Sequence, residues 1–337
     1  MTYTSGGLIQ ATDFNNLVGN VSSSDTNALN TIWATGIRNY GYGQSPIPNI
    51  SANTIVQSEN WALLVNTINN VAVHQGVPLR QTITPPADND TISYLSTVET
   101  ALAQVIKNRS YADGQGTTQT KIQRFTSSNW KTEIIFKFVL TFESGDKARY
   151  FFNAGGQIAI NFSHAATTTQ ADILFNQLAS SIGTLVISSP TTNSKAVISD
   201  TTYSPFSIIG GNGTPSIYKS NAGYYSYNKT PALIFRQSPN LTGILAAYSE
   251  YAGTDISVYA STNGSQGTNG DTGSVITISC VWEQDPNSFF ISRGNDTGPV
   301  NSSTTTLVVK YPKSTSSGGV LNNTWGNVTI DSSVSGN

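Results

Sequence analysis

The spacing of apolar residues shifts between residues 111 and 121 of this chain, and that shift does most to restrict its fold. Up to about Tyr111 they recur every three or four positions, and from Lys121 onward every second position. The first spacing lays an apolar stripe along a helix, and the second lays an apolar face along a strand. The sequence therefore predicts an α+β protein. Residues 1–115 form an N-terminal α-helical region. Residues 116–337 form a mainly antiparallel β-sandwich-like domain with one inserted helix, and a further division near 190–200 stays open.

Four helices are predicted in the first region. A short one opens at Thr12 and ends near Val18. Asp25 or Thr26 caps a second, with Leu29, Ile32 and Trp33, stopping at Gly36. Ser58 caps a third with Trp61, Leu64, Val65, Ile68, Val71 and Ala72 in one stripe. Gly76 ends it and Pro78 prevents simple continuation. Asp90 caps the fourth, carrying Ile92, Leu95, Val98, Leu102, Val105 and Ile106.

Residues 112–120 (ADGQGTTQT) read as a linker or long turn. Over 134–142 both faces of a strand are largely apolar, which predicts burial on both sides or a place in an assembly. Residues 143–146 read as a hairpin turn with 148–153 returning as strand, and 157–163 continue as strand. The inserted helix begins at Thr169 or Gln170 and ends at Gly183. Short strands follow, among them 224–227, 241–251, 274–282, 289–291 and 305–311. From Asp331 the chain reads as a loose tail, or as an arm ordered by a neighbour.

Charge excludes several functions. Asp, Glu, Lys and Arg make up only 11% of the 337 residues, against about 25% in an average soluble protein, and the net charge is −2. In their place stand 42 Ser, 42 Thr and 32 Asn. No basic excess is present to neutralise a phosphate backbone, so no nucleic-acid partner is expected. No apolar run reaches the ~18 residues of a membrane span, and the first ten residues lack a signal-peptide pattern. With 37% hydrophobic and 10% aromatic residues, the chain has enough apolar surface for a real core.

Residues suited to catalysis are few. The two histidines, His74 and His164, lie in no HExxH pattern, and Cys280 is the single cysteine. A Ser-His-Asp group has ample serine to draw on, but no GxSxG elbow is present. Glu250, Asp255, Glu283 and Asp285 lie nearest the aromatic strands and read as solvated charges at strand ends. Oxygen-rich loops at 263–271 and at Asn295 and Asp296 lack calcium-loop spacing. Neither a cofactor nor a metal is expected, and the chain reads as no enzyme. Tyr224, Tyr225 and Tyr227 are candidate glycan contacts, within a wider set that includes Tyr218, Tyr248, Tyr251 and Tyr259, because rings stack on sugar faces.

Three segments carry a resemblance: IWATGIRNYGYGQ at 32–44, ENWALLVNTINNVAVHQG at 59–76, and RYFFNAGGQIAINF at 149–162. In this order they resemble virion structural proteins of tailed bacteriophages, particularly tail, baseplate or fibre-associated proteins of cyanophage-like and other marine phages. The resemblance spans about residues 1–165. It implies a non-enzymatic component of the virion, assembled in the host cytoplasm. Its implied partners are copies of itself, as a trimer or hexamer, and other virion proteins. Trp33, Tyr40, Tyr42, Trp61 and His74 are the candidate interface residues, with intrachain packing as the alternative. The alternative functions are a host-recognition adhesin that binds a surface glycan and a capsid or neck decoration protein. A glycan hydrolase is the enzyme alternative.

Overall fold

The computed structural model describes residues 10–19, 26–87, 95–126, 132–165, 170–190, 195–240, 252–267, 270–284 and 302–336. Four helices come first: α1 (Ala11–Val18), α2 (Leu29–Trp33), α3 (Ser58–Gln75) and α4 (Leu95–Lys107). The stripe read for α3 is the face it buries, with Trp61, Leu64, Val65, Ile68 and Val71 nearly or fully enclosed. Gln57, not Ser58, caps it. The Gln57 N–H donates to Asn60 Oδ1 at 3.0 Å, satisfying a donor just ahead of the helix. Gly76 closes α3 in the left-handed region at φ 67°, where its N–H reaches back to Val73 O at 3.1 Å. Asp90, the cap expected for α4, lies outside the described residues.

Fourteen strands follow among the described residues, with two more helices. The first are β1 (Tyr111–Ala112), β2 (Gln115–Phe125), β3 (Glu133–Thr141), α5 (Gly145–Asn153), β4 (Gln157–His164), α6 (Gln170–Ile182) and β5 (Thr184–Ile187). Next are β6 (Ala196–Ile198), β7 (Thr201–Tyr203), β8 (Phe206–Ile209), β9 (Ile217–Tyr218) and β10 (Ala232–Gln237). The last are β11 (Asp255–Thr262), β12 (Val275–Glu283), β13 (Ser303–Pro312) and β14 (Thr329–Gly336). A six-stranded sheet runs β14-β3-β12-β11-β10-β9 and a five-stranded sheet runs β2-β13-β4-β5-β8. Every neighbouring pair in both is antiparallel. A small third sheet, β1-β6-β7, joins β1 to β6 in parallel.

Register explains the core. Ile134, Phe136, Phe138 and Leu140 of β3 lie opposite Trp282, Cys280, Ile278 and Ile276 of β12. All eight point inward and are fully enclosed. Burying a side chain of this kind stabilises by about 1.5–3 kcal/mol each. Trp282 links the two large sheets. Its ring centroid lies 6.1 Å from that of Phe162 on β4, and its Nε1–H donates to Thr305 Oγ1 on β13 at 3.1 Å. One continuous cluster of buried apolar side chains extends from Phe14 in α1 to Ile330 in β14.

The structure corrects several expectations. The polar stretch 112–120 is no linker: it forms the end of β1 and the first half of β2, an edge strand whose outer positions are exposed. Residues 143–153 form no hairpin. Ser144 Oγ accepts from the Lys147 N–H at 3.2 Å and starts α5, so the β region holds two helices rather than one. Residues 224–226 form a single 3-10 turn, not a strand. Residues 331–336 belong to β14 and pair with β3. β3 itself is enclosed on one face only, since Lys137 is exposed and Ile135 and Val139 are half-buried. The strands expected at 241–251 and 289–291 lie outside the described residues.

Candidate functional site

The three segments that carry the resemblance meet in space, and α5 joins two of them. Arg149 and Asn153 are one helical turn apart and so share a face. That face meets the turn following α2. Several residues of this turn take positive φ: Gly36 at 49°, Arg38 at 50° and Gly41 at 92°. A Cβ at Gly41 would lie 2.1 Å from Thr35 O, so the tight turn requires glycine there.

Arg149 is fully buried, and its Nη1 donates to the carbonyls of Thr35, Gly36 (3.2 Å) and Tyr40 (3.0 Å). Nη2 pairs with Asp146 Oδ1 at 2.9 Å, and Nε lies 3.7 Å from Asp271 Oδ2. The Asn153 amide donates to the carbonyls of Arg38 (2.9 Å), Tyr40 (2.8 Å) and Gly41 (3.1 Å). Its Oδ1 accepts from the Tyr225 hydroxyl at 2.6 Å. A planar guanidinium has enough fixed donors to serve carbonyls and carboxylates at once, which a lysine ammonium lacks.

The second segment enters through the end of α3. Tyr42 donates its hydroxyl to Arg109 O at 3.0 Å and accepts from Gln75 Nε2 at 3.3 Å. His74 packs edge-on against the Tyr42 ring, with centroids 4.9 Å apart. Burial lowers the His74 pKa from 6.5 to about 4, with Asp113 opposing and Lys313 reinforcing the shift, so the ring is neutral at pH 7. Burial pushes the Tyr42 phenol up.

The interface candidates therefore divide. Tyr42, Trp61 and His74 are enclosed within the chain, and Trp61 packs edge-on against Phe14 at 5.6 Å. They are intrachain core and present no face to a second copy. Tyr40 and Trp33 are half-buried. The Arg109 guanidinium stands 4.2 Å over the Tyr40 ring, and Trp33 Nε1–H donates to Ser45 O at 2.9 Å.

The candidate glycan contacts are also occupied by protein. Tyr224 is fully buried and stacks on Phe152, with centroids 4.3 Å apart and planes 18° apart. Tyr225 is tied to Asn153, and Tyr227 is buried. These rings brace the fold and form no stacking platform for a sugar. Tyr248 and Tyr251 lie outside the described residues.

A Ser-His-Asp group that sequence spacing gave no way to find is present elsewhere. His164 at the end of β4 sits with Nε2 2.7 Å from Asp172 Oδ1 on α6 and Nδ1 3.0 Å from Ser303 Oγ on β13. With Asp172 ionised, the proton belongs on Nε2, and Nδ1 accepts from the serine hydroxyl. This order matches a nucleophile, its base and an orienting acid. Yet the side chains of His164 and Asp172 and the whole of Ser303 are fully buried. Burial lowers the His164 pKa, opposed by the hydrogen bond and charge of Asp172. The group works as a brace between the five-stranded sheet and α6.

The acidic candidates lie on the six-stranded sheet. Asp255 and Glu283 are directly opposite on β11 and β12, and Glu133 of β3 is next across. Asp255 accepts from Ser257 Oγ at 2.7 Å and pairs with Arg236 Nε at 3.4 Å. Burial raises its pKa against both of those partners. Asp271, in one of the oxygen-rich loops, is buried, and its Oδ2 accepts from the Gly267 N–H at 2.7 Å. Glu250, Asp285, Asn295 and Asp296 lie outside the described residues. Among the described residues, no three His, Cys, Asp or Glu side chains come together as a metal site, and no helix is long and apolar enough to cross a membrane. Comparisons with protein-family models, curated proteins and solved structures find no match to this chain.

Proposed function

We propose that this chain is a non-enzymatic structural component of a tailed-phage virion, assembling through subunit interfaces in the tail, baseplate or fibre attachment region. One observation carries the proposal. The side chains best suited to chemistry, Arg149, Asp271, His74, His164 and Asp172, are all buried, and four of them hold chain segments together. Such use suits a part whose work is to keep its shape. The helical region also leaves Ile55 (82% exposed), Leu63 (46%) and Val73 (60%) outside, in and just before α3. Apolar side chains facing outward there suit contact with other copies or a neighbouring virion protein. Assembly would proceed by burying such surface between subunits.

The test is gold-labelled antibody on purified tailed-phage particles. Label at the tail tip, baseplate or fibres is expected. Label over the head or neck instead supports a decoration role. If intact and disrupted virions both lack the protein, the structural reading fails.

A further inference from the structure

A cleft of about 510 Å3 opens between the starts of β2 and β14. Farther along, the same two edges lie close together: Gln123 Nε2 donates to Ser332 Oγ, and Phe125 sits against Gly336. Toward the start of β2 the turn following β13 fills part of the gap. A Cβ at Gly116 would lie 2.7 Å from Ser317 Oγ and 2.8 Å from Pro312 O, so this strand and that turn are in contact. The buried rings of Tyr311 and Trp325 line the base.

Among the described residues, no charged side chain lines the cleft. A wall without charge gives no compensation to a phosphate, a carboxylate or a metal ion. What it offers is hydroxyls and amides. The Tyr311 hydroxyl accepts from the Val328 N–H and donates to Gln119 Oε1, both at 2.9 Å. The Gln119 NH2 is then left without an acceptor among the described residues. Asn323 Oδ1 accepts from the Gly326 N–H at 3.0 Å, which leaves its NH2 in the same position. Thr117, Thr118 and Asn327 also line the cleft and are exposed, and their side chains make no hydrogen bond within the described chain.

We infer that this cleft binds a neutral saccharide. Its volume lies within the roughly 300–1,000 Å3 of small-molecule sites and accommodates a short oligosaccharide. Sugar hydroxyls both donate and accept, which matches a wall of hydroxyls and amides. The inference does not depend on the virion reading, because isolated protein suffices to test it and particle labelling does not bear on it.

The full chain would be applied to a printed array of neutral glucan, mannan and galactan oligosaccharides beside sulfated and carboxylated counterparts. The best-retained neutral compound would then be titrated by calorimetry. Retention of neutral compounds over anionic ones is expected. The double variant Thr118→Ala, Asn327→Ala alters only exposed side chains. It is expected to keep its melting midpoint and to bind roughly tenfold or more weakly. No neutral compound retained, a preference for the anionic counterparts, or unchanged affinity in the double variant overturns the inference.

Discussion

Removing the Arg149 guanidinium takes its hydrogen bonds from the carbonyls of Thr35, Gly36 and Tyr40 and leaves Asp271 without its cation. Breaking a buried ion pair from one side costs about 3–5 kcal/mol, so Arg149→Met is expected to lower the urea midpoint by that equivalent. Arg149→Lys should recover little of it, because a single ammonium cannot span the same acceptors. His74 sets a pH dependence. Between pH 6.5 and about 4 the unfolded chain takes up a proton that the folded chain refuses, so stability falls with pH across that window and levels off below it. The full loss from His74 is roughly 3 kcal/mol at 1.36 kcal/mol per pKa unit. His164, lowered in the same direction, adds to it. Urea titrations at pH 7, 5.5 and 4.5 should give a steeper decline for the native chain than for His74→Leu; equal slopes would remove His74 from the account. Arg149 stands in a segment that the sequence already singled out. Its task was not legible, because the carbonyls it serves lie 109 to 114 positions away and no local spacing encodes them. The Ser303 contact of His164, 139 positions off, was hidden for the same reason.

Elements whose own period is strong were legible: α3 and α4 from their stripes, and β3 and β12 from their alternation. Those misread take their conformation from neighbours. α5 is rich in aromatic residues that favour strands, but its Ser144 cap and the anchoring of Arg149 and Asn153 select helix. β14 carries only Ile330 and Val334 as apolar positions, and its register is set by Leu140 and Phe136 on β3. Removing residues 329–337 should therefore expose one edge of β3, a largely apolar strand whose central charge is Lys137 alone. Oligomers or aggregates are expected on size-exclusion chromatography, with a reduced thermal midpoint. Elution and midpoint equal to those of the full chain would mean that β14 contributes nothing.

Across the whole molecule, helices and sheets share one continuous apolar core, and the Arg149–Asn153 contacts fasten the turn after α2 to the β region. Helical and β signals should therefore disappear together on heating. Far-UV circular dichroism and tryptophan fluorescence should give coincident midpoints, and an isolated fragment of residues 1–115 should lack stable helix. Two separate transitions would show that the regions fold independently. The change of period near 111–121 was legible as a change of element type, whereas the extent of shared core was not, since either arrangement uses the same stripes. The position of β3 also has a consequence during synthesis. Both of its hydrogen-bonding neighbours, β12 and β14, are encoded from residue 275 onward. At about 5–20 residues per second, the ribosome delivers the first of them on the order of ten seconds after β3. Through that interval β3, a largely apolar strand, has two open edges, the kind of exposed surface through which a growing chain can associate with its neighbours.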